Sequence, residues 1–270
     1  MDQAEFEAII EHTRKSRKYR ELNLPEETLQ DMLTAEAALG GSKAEVSQRF
    51  RKKLHNVIAP YLEFIDYAQE TERMKACFQV NPTPDQVKAW ALSVMQKHAS
   101  TRERLPHIEA FCQCLRGHID IPNRILDLAC ALDPLLLPWL NFPYETECLA
   151  YDIHQPRLDF LNVFFARAYP SAHAIQQDIL VNPPSQPADC AFFFKEAHRF
   201  EKRSPGCNRS FFQALPVKLI IVSLPAEDLR GHHSLVSYHT QLIKEAIAGL
   251  PWELEQTQVG NELIFFIHKR

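Results

Sequence analysis

Three aspartates sit where an open parallel sheet would need them to grip a nucleoside. Asp127 lies inside the apolar run Arg124–Ala129, Asp152 ends the run Glu147–Asp152, and Asp178 ends the run Ala174–Asp178. In such sheets ligands bind beyond the carboxyl ends of the strands, near the point where strand order reverses. A carboxylate ending the second strand can accept both hydroxyls of a ribose. A polar residue ending the third can meet the exocyclic amine of an adenine. A single strand-end aspartate is more often a helix cap or a turn residue. Three in succession favour a nucleotide pocket.

Other chemistry is excluded by what the chain lacks. The loop Ala129-Cys-Ala-Leu-Asp-Pro134 contains no glycine, although backbone that approaches a ligand closely usually needs one. The motifs G-x-G-x-x-G, Walker A, H-E-x-x-H and G-x-S-x-G do not occur, which removes the usual NAD, NTPase, metalloprotease and esterase readings. His232-His233 has no carboxylate or cysteine pattern beside it, so no metal is expected. The seven cysteines include no C-x-x-C pair and are expected to be reduced, mostly buried thiols.

Two kinds of element must position these residues. Residues 1–105 read as helical. Leu24-Pro25-Glu26-Glu27 starts a helix that Gly40-Gly41-Ser42 stops, and Leu29, Met32, Leu33 and Ala37 recur at helical spacing. From Val46 to Ile65 the positions Val46, Phe50, Leu54, Val57 and Ile58 repeat in the same way, with Pro60 breaking the helix. Pro84-Asp85 begins another, running to about Lys97. After residue 105 the rhythm changes. The three runs above are joined by Ala188–Phe194, Val217–Ser223, Trp252–Val259 and Leu263–His268, the last two linked by Gly260-Asn261. Strands separated by helices imply βαβ units and a mainly parallel, doubly wound sheet. The Phe192-Phe-Phe194 run is expected to be sheet core.

The bulk numbers fit a globular protein. The chain has 270 residues, 46% of them hydrophobic, and no apolar run long enough to span a membrane. Its N-terminal stretch is acidic and lacks the apolar core of a signal peptide, so a cytoplasmic location is expected. A monomer is the expected state. The net charge of −4 does not suggest a nucleic-acid partner, but the distribution does. Arg14, Lys15, Arg17, Lys18 and Arg20 form one basic cluster. Arg49, Arg51, Lys52 and Lys53 form a second, with His55 beside it. Solvated helix faces would read the same way.

The segment His98-Ala-Ser-Thr-Arg-Glu-Arg-Leu-Pro106 resembles the signature that precedes the catalytic domain of aminoglycoside-resistance 16S rRNA methyltransferases. Asp127–Leu135 resembles their first S-adenosylmethionine (SAM) motif, with Ala131 where a glycine normally sits, and Tyr151–Gln155 resembles the second. Gln177–Leu180, Phe194-Lys195, Val222–Pro225 and Val259–Ile264 follow in the family's order. Ser16–Arg20 and Lys53–His55 match in the helical region, so the resemblance covers nearly the whole chain.

This resemblance implies an α/β fold: a class I (Rossmann-like, seven-stranded) SAM-dependent methyltransferase domain over residues 106–270. An all-helical N-terminal domain over 1–105 would bind 16S rRNA in the 30S subunit. It implies a cofactor pocket made by His98, Ala99, Ser100, Arg104, Ala129, Asp152, Asp178, Ile179 and Phe194, with Tyr61 reaching in from the helical region. Arg104 would pair with the methionine carboxylate, Asp152 would hold the ribose, and Asp178 and Ile179 would flank the adenine. Lys195 would be the catalytic residue beside the target base. Arg14, Lys15, Arg17, Lys18, Arg20, Arg51, Lys52 and Lys53 would contact RNA, and Arg102 would face solvent or RNA.

The implied target is N7 of a guanine in the ribosomal decoding site, a change that gives aminoglycoside resistance. N7 has a free lone pair, so no general base is needed, and positioning with a suitable field can suffice. That accounts for the absence of a Ser/His/Asp or Cys/His set. Two features depart from the family: Ala131, and the loop Ala226-Glu-Asp-Leu-Arg-Gly-His-His233 with its two acids where a basic, glycine-rich loop is usual. The alternative readings are a homologue that binds RNA or the ribosome without transferring methyl groups, and a methyltransferase for another RNA.

Overall fold

The protein is described by a computed structural model that covers residues 2–58, 65–78, 82–228 and 233–270. Tyr61, Pro60 and residues 229–232 of the acidic loop lie outside those residues. Helices come first: α1 (Gln3–Lys15), α2 (Glu26–Ala38), α3 (Lys43–Ile58), α4 (Tyr67–Cys77), α5 (Pro84–Met95), the short α6 (Ala99–Arg102) and α7 (Ile108–Arg116). Local chemistry sets their ends. Asp2 and Thr83 close capping boxes on α1 and α5, and Gly40 and Gly41 leave α2 with positive φ.

Seven strands then form one sheet in the order β3-β2-β1-β4-β5-β7-β6. They are β1 (Arg124–Leu128), β2 (Glu147–Asp152), β3 (Ala172–Gln176), β4 (Ala188–Phe194), β5 (Val217–Pro225), β6 (Glu253–Val259) and β7 (Glu262–His268). The first five pair in parallel, and β7 enters antiparallel between β5 and β6. The crossovers carry α8 (Leu137–Leu140), α9 (Gln155–Ala168), α10 (Ala197–Arg203), α11 (Cys207–Ala214) and α12 (Val236–Ile247). The sheet therefore reverses direction between β1 and β4, the switch point at which such folds bind ligands. The strand whose bounds differ most from the sequence expectation is β3. β3 begins at Ala172 and ends at Gln176, because its ladder with β2 finishes at the pair Asp152–Gln176. Asp178 thus stands in the loop beyond the strand.

The period-two alternation of the strands divides the core into two layers. Ile125, Ala150, Phe192, Phe194 and Ile221 face α4, α5, α7 and α9, while Leu126, Tyr151, Phe193, Val222 and Phe265 face α10–α12. The three consecutive phenylalanines are core, as expected, split between both faces. A third cluster, from Ile9 to Ile58, is the private core of α1–α3. The buried side chains thus divide elsewhere than at residue 105. Met74, Phe78, Trp90 and Val94 of α4 and α5 pack with Phe160 and Phe164 in the sheet's own core. Helical periodicity cannot report which core a helix serves, so these helices read like the arm that precedes them. Among the described residues no helix is long and apolar enough to cross a membrane, and all seven cysteines are free thiols.

Candidate functional site

The carboxyl ends of β1, β2, β4 and β5 open into a cavity of about 1300 Å³, larger than the usual ligand pocket of roughly 300–1,000 Å³. Its floor is the loop after β1. Ala129 and Ala131 both hold left-handed φ, +52° and +44°, a region that glycine occupies at little cost and alanine does not. The missing glycines are therefore missing where the backbone conformation asks for them. Asp152 helps to hold the loop. Its Oδ2 accepts from the Ala131 N–H at 3.0 Å and from Arg157 at 2.9 Å, and its Oδ1 accepts from the His154 N–H at 2.9 Å. Arg157, fully buried, also donates to the Tyr67 hydroxyl at 3.0 Å. Burial works to raise the Asp152 carboxyl, but Arg157 and His154 bring it below its ordinary value, so it is ionised.

The signature segment forms one wall. His98 precedes α6, and its Nδ1 lies 2.8 Å from the Ser100 hydroxyl. Its Nε2 is buried and has no hydrogen-bond partner among the described residues. Burial, and then Arg157, lowers the His98 imidazole to about 3, so it is neutral. Lys195 stands at the end of β4, another non-glycine residue with positive φ, and its ammonium donates to the Ser100 carbonyl at 2.9 Å and to Glu103 at 2.8 Å.

Arg104 is buried between two carboxylates. Its side chain is 1% exposed, stacked over Phe111, with Nε and Nη2 donating to Glu262 at 3.0 and 2.5 Å and Nη1 to Asp133 at 2.5 Å. Burial opposes its charge, yet Glu262 and Asp133 raise its pKa further. With three of its five N–H donors on two buried carboxylates, the guanidinium ties the signature to the start of β7 and is not among the groups lining the cavity. Asp127 also lies beneath the cavity. Burial, reinforced by Asp133, pushes its carboxyl well above the usual range. Of the three aspartates singled out in the sequence, two reach the pocket.

At the far corner Asp178 is buried and caps the Leu180 N–H at 3.1 Å. Ile179 and Phe194 add apolar lining, with Ala99, Ser100 and Ala129 between the two carboxylates. The arm closes this side through Lys53, Asn56 and Val57 of α3. Beyond Lys195 the cavity continues past His198, Pro225, Tyr238 and His239. The acidic loop contributes Glu227 and Asp228 to its rim. Sequence reasoning gave no role to Arg157, Asp133 or Glu262. The signal was there for Asp133 and Glu262, inside the matched segments Asp127–Leu135 and Val259–Ile264; an arginine five residues after an aspartate carries no signature.

The basic residues lie on the arm. Lys18 Nζ is 2.7 Å from His55 Nδ1, which joins the two clusters into one face although they are far apart in sequence. Arg14, Lys15, Arg17, Lys18, Arg20, Arg51 and Lys52 are exposed, while Lys53 is half-buried and faces the cavity. Arg14, Lys15, Arg20 and Lys53 pair with arm carboxylates: Glu26, Glu11, Glu21 and Glu36. Arg102 is exposed, as expected. No metal-binding cluster occurs among the described residues.

Comparison with known proteins gives concordant results. A family model described as ribosomal RNA methyltransferase (FmrO) matches residues 15–267. A 16S rRNA (guanine(1405)-N(7))-methyltransferase of Serratia marcescens is 30% identical over 257 residues, 94% of each chain. One of the same description from Micromonospora rosea is 27% identical over 242 residues, 87% of this chain and 88% of its own. The crystal structure of the 16S rRNA methyltransferase RmtF in complex with S-adenosyl-L-homocysteine (SAH) superimposes with a TM-score of 0.81 over all of both chains, at 21% identity.

Proposed function

Because the chain belongs to the FmrO family of ribosomal RNA methyltransferases, we propose that it methylates N7 of guanine 1405 of 16S rRNA within the 30S subunit, as its named relatives do. Such a cytoplasmic enzyme, acting as a monomer, would make its host tolerant of aminoglycosides that bind there. The observation that carries this reading is the cavity at the switch point, which gathers residues of the signature with the buried carboxylates Asp152 and Asp178.

The residues fit SAM. The ionised Asp152 has three of about four lone-pair sites in use, which leaves one for a ribose hydroxyl. Asp178 and Ile179 would bracket the adenine. If the Ser100 hydroxyl donates to Nδ1, neutral His98 would carry its proton on Nε2, which has no partner among the described residues, and would offer a buried donor to a polar atom of the cofactor. Arg104 would act through Asp133 and Glu262, by fixing the wall, instead of by pairing with the methionine carboxylate. Bound SAM supplies an activated methyl group.

The protein's part is then positional. A flipped guanine presents N7 without needing to lose a proton, and flipping costs roughly a few kcal/mol. Lys195 would donate to the base edge, held in place by Ser100 and Glu103. The region past Lys195 leaves room for the base. The joined basic clusters of the arm would contact phosphates and supply salt-dependent affinity. The test is methyl transfer to purified 30S subunits, followed by reduction, cleavage at 7-methylguanine and primer extension. A stop at guanine 1405, together with gentamicin tolerance on expression in a susceptible bacterium, is the expected result. A stop elsewhere would reassign the target; SAH binding and salt-dependent 30S binding without transfer would leave a ribosome binder.

A further inference from the structure

The adenine corner of the pocket is wired to the arm. Arg203, the last residue of α10, is buried to 8% exposure between two carboxylates on different parts of the molecule. Its Nη1 lies 2.7 Å from Asp178 Oδ2 and 2.9 Å from Oδ1. Its Nη2 donates to Asp31 Oδ2 at 2.7 Å. Asp31 sits on α2, inside the unit whose buried core lies within residues 9–58, and its side chain is 46% exposed. One guanidinium therefore spans the arm and the loop after β3.

Charge and burial give this bridge a direction. The Asp178 carboxylate is 2% exposed and has few neighbours to fix its plane: the Leu180 N–H on one side and Arg203 on the other. Burial opposes the charge on Arg203, and the two aspartates raise it again. A buried cation that keeps two anions holds each in a defined plane, since a planar guanidinium offers its N–H groups at fixed angles. Removing the outer anion leaves Arg203 free to swing toward Asp178 or toward water. It does not strip Asp178 of its partner.

We propose that Arg203 and Asp31 are positioning residues for the cofactor: Asp31, on the arm, orients Asp178 through Arg203 and so sets how well the pocket recognises an adenine. This rests on the reading that Asp178 meets the exocyclic amine. The arm is then part of the cofactor site as well as the RNA grip.

The test compares Asp31→Asn, Asp31→Glu and Asp178→Asn in the full chain. Calorimetry gives the Kd for SAH and for S-inosylhomocysteine, in which an oxygen replaces the exocyclic amine. Asp178→Asn should weaken SAH and abolish the preference for it over the inosine analogue. Asp31→Asn should weaken SAH by about two- to fivefold, the range open to a half-exposed ion pair, and lower the same preference. Asp31→Glu should restore both. A merely structural contact would lower Tm and leave the preference unchanged; that outcome, with Asp178→Asn behaving as stated, overturns the proposal. If Asp178→Asn leaves the preference intact, the adenine reading itself has failed.

Discussion

Replacing Ala131 by glycine should stabilise this protein. A core loop seldom gains from glycine, because the freer unfolded chain costs about 0.5–1 kcal/mol. Here the native φ is +44°, where the methyl group crowds the following carbonyl at about 1–2 kcal/mol. The difference favours glycine by about 0–1.5 kcal/mol, with a mid-range value of about 0.75 kcal/mol. The hydrogen bond from the Ala131 N–H to Asp152 belongs to the backbone and survives the change. For a chain of this size that mid-range gain corresponds to a rise in Tm of roughly 1–4 °C. Scanning calorimetry measures it directly, with Ala150→Gly as the control. Ala150 is fully buried within β2, so glycine there should lower Tm. An unchanged or lower Tm for Ala131→Gly, beside a destabilised control, would refute the strain argument. Ala129→Gly, at φ +52°, should behave like Ala131→Gly.

Three further outcomes follow from the same geometry. Asp152→Ala removes the carboxylate facing the buried Arg157, so urea unfolding should show a loss of about 3–5 kcal/mol, and calorimetry should show no SAH binding. Retention of both would remove Asp152 from the centre of the site. Gly260→Ala would bring a methyl carbon within 2.2 Å of the His107 ring at φ +56°; a fall in Tm of several degrees is expected, and an unmoved Tm would show that His107 can swing away freely. His198 is lowered to about 3, first by burial and then by His239, from an ordinary 6.5. Between those values the unfolded chain takes up a proton that the folded chain refuses, so stability falls as pH drops below about 6.5, by about 1.4 kcal/mol per unit. His198→Gln should flatten the unfolding free energy measured from pH 6 to pH 4 by about one proton's worth, and an identical slope would mean that His198 titrates normally in the fold.

Much of the architecture was legible because it rests on local rules. The strand runs, the helix starts at Glu26 and Pro84 and the β6–β7 turn at Gly260-Asn261 each depend on residues within a turn of one another. Asp152 could be placed at a strand end for the same reason. Ala131 could be flagged as a departure, but that Ala129 and Ala131 are both left-handed appears only once the loop is built against Asp152. Acidic residues could be counted without being sorted. Asp127 and Asp178 look alike in sequence, yet one is sealed beneath the floor and the other faces the cavity.

The fold class, the order of the elements and the segment His98–Pro106, from which a pocket wall is made, could all be read from residues near one another in the chain. Those follow from periodicity and from residue types that are read a few positions at a time. Tertiary structure alone decided that Arg104 serves Glu262 across 158 residues, that α4 and α5 belong to the sheet's core, and that an arm aspartate reaches the pocket through Arg203. Each of these is a choice of partner for a buried charge or an apolar face. Such a choice depends on which distant surfaces exclude water together, and no local pattern encodes that.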